Sequence, residues 1–245
     1  MGISVEGKVA LVTGGNRGIG KAIVEEFFKH GAKKVYLAVR DPESTASLTE
    51  QYGDKVVTLK ADVSDAVSIK ALAENATDVD ILVNNAGVMK LSSPLAEDAE
   101  ESLKHEFDIN VLGLIRVAQA FETTLVSNKG ALVQLNSIAS IKTFGDMATY
   151  CASKAASYSI TQGLKEKFGE KGVTVLSVHP GPISTDMGKG AGFEDAPGPD
   201  TVAQGIVEAL KAGDFHLFPD PMSKQLEEAY QSYADNIILG DLSVG

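Results

Sequence analysis

Cysteine is nearly absent: Cys151 is the only one in 245 residues. An intrachain disulfide is therefore excluded, which suits a reducing compartment such as the cytoplasm. Histidine is scarce as well, four scattered residues that show no metal-ligand spacing with the single thiol, so no metal is expected. Long apolar runs are missing. None approaches the roughly 18–20 uninterrupted apolar residues that a membrane-crossing helix needs. The first residues show neither the basic nor the apolar stretch of a secretion leader. Positive charge is in deficit, 22 Lys+Arg against 33 Asp+Glu for a net charge of −11, which argues against nucleic-acid or membrane partners. Internal repeats, low-complexity tracts and linkers are also lacking, so residues 1–245 read as one domain. With 44% hydrophobic residues, a chain of this length can bury about 70–75% of its unfolded surface.

What is present alternates. Short apolar, β-branched runs at 8–14, 35–40, 55–63, 80–87, 131–135 and 173–178 read as buried parallel strands, and 215–218 as a last short one. Helical patterns fall between them, over 21–28, from a Ser64-Asp65 cap to 76, over 97–125, from Tyr150 to about 168, from Pro199 to 210, and over 224–234. This order predicts an α/β fold: one doubly wound parallel sheet of about seven strands with helices on both faces. The ligand crevice of such a sheet lies at the carboxyl ends of its strands.

The chemistry-bearing residues cluster at those ends. Thr13-Gly14-Gly15-Asn16-Arg17-Gly18-Ile19-Gly20 lies between the first strand and the first helix. Glycines there allow a pyrophosphate to approach the backbone, and the helix N-terminus offers free N–H groups. The spacing is G-x-x-x-G-x-G rather than the commoner G-x-G-x-x-G, and a tight strand–helix turn would read the same way. Arg40 ends the second strand, and Arg17 sits inside the glycine loop. Two guanidiniums near an adenosine ribose favour a 2′-phosphate and thus NADP(H), although Asp41 beside Arg40 speaks for the ribose hydroxyl of NAD. Tyr150 and Lys154 are one helical turn apart. A phenol titrates near pH 10, and a cation within about 4–6 Å lowers that by roughly one to three units, so the lysine is expected to acidify the tyrosine. Ser137, at the end of a buried strand, is placed to polarise a carbonyl oxygen. Residues 186–199, rich in glycine and proline after the sixth strand, read as a substrate lid rather than a plain surface loop.

Together, Thr13-Gly14-x-x-x-Gly18-x-Gly20, Asp62, Asn84-Asn85-Ala86-Gly87, Asn110, Ser137, Tyr150-x-x-x-Lys154 and Pro180-Gly181-x-x-x-Thr185 resemble the short-chain dehydrogenase/reductase family in its roughly 250-residue form. The resemblance covers nearly the full length and implies a Rossmann-type fold. It further implies that Gly14, Asn16, Arg17, Gly18, Ile19 and Gly20 line the pyrophosphate and ribose of the cofactor. Asp62 and Val63 would line the adenine, Asn85 and Gly87 the cleft, Pro180, Gly181, Ile183 and Thr185 the nicotinamide end. Ser137, Tyr150 and Lys154 would then catalyse, with Asn110 bracing a water that links Lys154 to solvent and Lys154 also holding the nicotinamide ribose. The expected activity is NADPH-dependent reduction of a small ketone or aldehyde. A 3-ketoacyl reductase, an alcohol dehydrogenase or a non-catalytic NADP-binding protein are the alternatives.

The chain departs from the ketoacyl-reducing members at its end, where Asp214 to Asp220 and a polar helix replace an apolar strand with paired glycines. The step from Ser137 to Tyr150 leaves no room for the insertion typical of monomeric carbonyl reductases, so a homodimer or homotetramer is expected. Cys151 and His179 are expected to be structural.

Overall fold

The structure is a computed structural model, described here for residues 2–240. Seven parallel strands form one sheet: β1 (Val9–Thr13), β2 (Lys34–Val39), β3 (Val56–Lys60), β4 (Ile81–Asn84), β5 (Ala131–Leu135), β6 (Thr174–Val178) and β7 (His216–Leu217). Their order is β3-β2-β1-β4-β5-β6-β7. All seven coincide with the apolar runs; the five inner strands are covered on both faces and have no polar side to show, while the edge strands β3 and β7 are only partly buried. The order reverses between β1 and β4, which pair with Ala10 opposite Ile81. The crevice at such a reversal is where this class of sheet takes its ligand.

The helices are α1 (Gly18–Lys29), α2 (Ala46–Tyr52), α3 (Ala66–Asn75), α4 (Ala99–Phe107), α5 (Gly113–Asn128), α6 (Ala148–Gly169), α7 (Asp186–Lys189), α8 (Pro199–Ala212) and α9 (Pro221–Tyr233). Alternation along each strand splits the core in two. Ala10 and Val12 of β1 join Ile23 and Phe27 of α1 and Ile206 and Leu210 of α8 on one face. Val9 and Leu11 join Phe121 and Leu125 of α5 and Tyr158 and Phe168 of α6 on the other. Phe27 and Phe121 are fully enclosed. Truncating either to alanine costs about 3–5 kcal/mol.

The helical reading changes in two places. The pattern over 97–125 is not one continuous α-helix: a π-helical turn, Asp108–Leu112, separates α4 from α5. That turn faces Asn110 inward, and Arg116 occupies the Asp108 carbonyl at 3.1 Å. A π turn of this kind commonly marks a functional site. The rod Ala99–Asn128 is long and apolar enough by composition to cross a bilayer, yet it lays Val117, Phe121 and Leu125 against the sheet. The second is an addition: α2 is absent from the helical patterns read above. Asp41 accepts from the Glu43 N–H at 3.2 Å and caps a tight turn that runs on into α2, whose Leu48 is buried in the core.

Candidate active site

A cleft of about 400 Å³ lies along the carboxyl ends of β1, β2, β4 and β5. Its outer end is made by the glycine loop. Gly14 has φ +65°, a conformation that side chains resist. Asn85, arriving from β4, donates to the carbonyls of Thr13 at 2.9 Å and Gly14 at 3.2 Å, while Thr13 Oγ1 accepts from the N–H groups of Asn85 and Ala86. The strands β1 and β4 are thereby locked together at the reversal point. A Cβ at Gly20 would meet the Gly14 carbonyl oxygen at 2.2 Å, so this glycine is required for the helix to leave the strand so closely. It stands behind the cleft wall rather than lining it as expected.

Arg17, Asn16, Gly18 and Ile19 do line the cleft, as do Arg40, Asp62 and Val63. Arg17 precedes α1 without any side-chain cap, leaving the first N–H groups of that helix facing the cleft. Asp62 accepts from the Ser64 hydroxyl at 2.7 Å and the Ser64 N–H at 2.9 Å. These bonds, with help from the nearby Arg40 and Arg116, hold its carboxyl below the ordinary range despite its partial burial. Arg17 also meets Asp186 of α7 at 3.8 Å, with both side chains largely in solvent. Such a pair contributes little.

The inner end carries Ser137, Tyr150 and Lys154. Ser137 follows β5, accepts from the Ala139 N–H at 3.1 Å and donates to the Pro180 carbonyl at 3.3 Å. The Tyr150 phenol, in the first turn of α6, lies within hydrogen-bonding reach of the Ser137 hydroxyl. Lys154, one turn further, is buried and donates to the Leu135 carbonyl at 2.8 Å. Its Nζ is 5.8 Å from the Tyr150 ring centre. The expected acidification of the phenol by Lys154 is outweighed in this arrangement: burial raises Tyr150 above its usual value, with the nearby Ser137 hydroxyl opposing it, while the ammonium is directed at the Leu135 carbonyl. Burial also lowers Lys154 to about 8. The phenol is thus kept protonated, the form a proton donor needs.

Other expected residues divide between the cleft wall and the packing around it. Asn110 is buried, with Oδ1 accepting from the Val88 N–H and Nδ2 donating to the Val88 carbonyl and Ser153, each at 2.9 Å. Its side chain pins the strand end rather than facing the cleft. Gly87 does border the cleft, where an added Cβ would sit 3.1 Å from Asn110 Oδ1 and 3.7 Å from Lys154 Nζ. Pro180 and Thr185 line the wall. Thr185 also accepts from the Gly188 N–H to cap α7. Gly181 instead donates to Asp220, the residue that caps α9, at 2.7 Å, and Ile183 packs into the core. Cys151 and His179 are buried as expected.

Sequence reasoning missed the floor beneath these groups. Asn84 donates to Gln134 at 2.7 Å, Gln134 to Ser157 at 3.2 Å, and Ser157 to Asn136 at 2.8 Å. Asn136 continues to Ser177 at 2.8 Å, and Ser177 meets His179 at 2.7 Å. His179 in turn reaches the Ser137 carbonyl at 3.2 Å. A polar residue at the end of an otherwise apolar strand was the available signal.

The residues present fit a dinucleotide: a glycine cradle at a helix N-terminus, an acceptor carboxylate with two arginines at one end, and a hydroxyl, phenol and ammonium at the other. Fold and site define a Rossmann-type oxidoreductase. The chain belongs to the short chain dehydrogenase family, whose model matches residues 8–195. An oxidoreductase of Salmonella typhimurium, UcpA, is 32% identical over 88% of this chain and 84% of its own. The 3-oxoacyl-[acyl-carrier-protein] reductase of Vibrio cholerae is 35% identical over 86% of each. Among solved structures, a short chain dehydrogenase from Burkholderia cenocepacia in complex with NADP superposes with a TM-score of 0.85 at 29% identity, over 96% of this chain and 99% of that one.

Proposed function

We propose that the chain is an NADPH-dependent reductase that converts a ketone or aldehyde to its alcohol. The observation that carries this reading is the placement of the Tyr150 phenol in the cleft within reach of Ser137, with the Lys154 Nζ 5.8 Å from the Tyr150 ring centre. When bound, the nicotinamide supplies the hydride. The Ser137 hydroxyl holds the substrate oxygen, and the Tyr150 phenol donates its proton to that oxygen as general acid. Lys154, still largely charged at neutral pH, stabilises the phenolate left behind. Asn110 keeps Val88 and the lysine's surroundings in place, and Gly87 leaves the room the lysine needs.

NADP(H) is preferred over NAD(H) because Arg17 and Arg40 flank the end of the cleft where Asp62 sits, and guanidinium pairs bidentately with phosphate. The NADP complex of the Burkholderia cenocepacia relative supports this choice. We further read residues 186–199 as a lid, since Asp186 and Met187 already face the cleft, and the working species as a homodimer or homotetramer in the cytoplasm. A second reading, reduction of 3-ketoacyl thioesters, draws on the likeness to the Vibrio cholerae enzyme.

The test follows NADPH absorbance against a panel of ketones, aldehydes and ketoacyl thioesters, with NADH as control. Oxidation of NADPH by a simple ketone or aldehyde is the expected result. Turnover of thioesters alone would select the second reading, and no turnover at all would overturn both.

A further inference from the structure

His179 is a fully buried imidazole with partners at both nitrogens, and no step of the proposed mechanism uses it. Its Nε2 meets the Ser177 hydroxyl at 2.7 Å. Its Nδ1 meets the Ser140 hydroxyl at 3.0 Å and the Ser137 carbonyl at 3.2 Å. A neutral ring has one N–H and one bare nitrogen. The nitrogen that holds the proton therefore decides whether the ring pulls on Ser137.

The neighbouring side chains fix that choice one after another. The Leu135 carbonyl can only accept, so the Gln134 atom 3.3 Å from it is the amide nitrogen. That nitrogen also donates to Ser157 at 3.2 Å, and the Ser157 hydroxyl donates onward to Asn136 Oδ1 at 2.8 Å. Asn136 Nδ2 is thereby turned toward Thr161 and Ser177. Thr161 agrees, since its own proton goes to the Ser157 carbonyl at 2.7 Å and its oxygen is left to accept. Ser177 receives Asn136 at 2.8 Å, and among the described residues its proton has one acceptor left, His179 Nε2. The ring proton is then on Nδ1. The opposite tautomer does not serve equally well. With the proton on Nε2, Ser177 would take two donors and its own hydrogen would have no acceptor, while a bare Nδ1 would face the Ser137 carbonyl oxygen. An imidazolium strands the Ser177 hydrogen in the same way, and burial holds the ring down to about 3.

We propose that His179 is a positioning residue, a neutral imidazole with its proton on Nδ1 that clamps the Ser137 carbonyl and so fixes where the Ser137 hydroxyl points. The clamp is anchored at the end of β6, where the His179 N–H donates to the Leu217 carbonyl at 2.8 Å. It acts on a turn otherwise closed by its own bonds, from the Ser140 N–H and hydroxyl to the same Ser137 carbonyl. The next residue, Pro180, accepts from the Ser137 hydroxyl at 3.3 Å and the Ile138 N–H at 3.0 Å. His179 and Pro180 thus hold Ser137 by its backbone and its side chain. Only the kinetic consequence rests on the reading of Ser137 as the group that holds the substrate oxygen.

Nitrogen NMR on the full chain tests the clamp, with the His179 ring identified by its contacts to Ser140 and Ser177. At pH 7 Nδ1 should show the shift of a protonated ring nitrogen and Nε2 that of a bare one. The reverse pattern, or an average of the two, would overturn the proposal, and this reading needs no variant to fold. His179→Asn places an amide N–H near the position of Nδ1, His179→Gln reaches instead to that of Nε2, and His179→Phe keeps a ring without either nitrogen. The Ser137 carbonyl carbon shift, read through the Ile138 amide, should move in the phenylalanine and glutamine variants and stay near wild type in asparagine. An unmoved shift in phenylalanine would overturn the clamp. With NADPH and whichever carbonyl probe is turned over, phenylalanine and glutamine should each lower kcat about tenfold at unchanged NADPH affinity, and asparagine should restore most of it. Equal kcat in asparagine and glutamine, or kcat that merely follows the fall in thermal midpoint across the three, would refute positioning. If no probe is turned over, the proposed reaction fails, while the nitrogen and carbon shifts still decide His179.

Discussion

The two ends of the cleft are built on opposite principles. At the β1–β3 end, recognition is left to backbone, glycine and exposed charge: Arg17 and Arg40 both reach into solvent. At the β5–β6 end, Lys154, Asn136, Ser177 and His179 are buried; Lys154 donates to the Leu135 carbonyl, and Asn136, Ser177 and His179 are bonded one to the next. Binding a charged cofactor tolerates flexible side chains, because a phosphate pulls an arginine into place. Donating a proton to one oxygen does not, since small displacements of the donor are costly to rate. The rigid end should therefore fail abruptly when altered and the soft end gradually.

The sharpest break is expected at Tyr150. Tyr150→Phe should lower turnover by about 10²–10⁴-fold while leaving NADPH binding intact, as read by stopped turnover alongside fluorescence titration of the cofactor. Retained turnover would remove Tyr150 as the acid. Next comes the floor. Asn136→Ala removes one hydrogen bond each from Ser157, Thr161 and Ser177, at about 0.5–1.5 kcal/mol apiece, so denaturant unfolding should show a loss of a few kcal/mol. Comparable stability would mean that the chain of bonds is dispensable.

Acid should act on the same end. Burial holds His179 near 3 and His216 near 4, both below the unfolded value of about 6.5. Groups with a depressed folded pKa bind protons more readily when unfolded. Their contribution is therefore complete above about pH 6.5 and declines as the pH falls toward 4 and 3. His216 meets the Tyr158 hydroxyl at 2.6 Å, and that hydroxyl also meets Tyr230 of α9. Thermal midpoints measured from pH 7 down to 4 should fall, and His216→Gln should flatten part of the slope.

Milder effects belong to the soft end. Arg40→Ala should raise KM for NADPH about tenfold and leave that for NADH nearly unchanged. An unaltered ratio would take Arg40 out of cofactor choice. Smallest of all, Asp186→Asn should change stability by less than about 1 kcal/mol, because its pairing with Arg17 is exposed.

Much of the soft end was legible in the residues themselves. A glycine loop between an apolar strand and an amphipathic helix reads as a phosphate cradle or a tight turn, and Arg40 at a strand end announces itself by position. At the rigid end the Ser137, Tyr150 and Lys154 trio was legible as a motif, but its electrostatics were not. The direction of the Tyr150 shift depends on how deeply the phenol is enclosed and where the Lys154 ammonium points. The burial of Glu106 was invisible because, in a stretch with Glu100, Glu101, Lys104 and His105, it reads as one more solvated charge. Asn110 was found by pattern, yet the π turn that aims it inward depends on Val88 and Ser153, 22 and 43 residues away along the chain.

Local pattern alone determined the seven strands, their alternation with helices and the glycine loop, since hydrophobic period and glycine placement act over a few residues. Tertiary packing decided which polar groups lose water and which keep it. That choice shifts the titration of Tyr150, Lys154 and His179, because desolvation is a property of everything packed around a group and not of its neighbours in sequence.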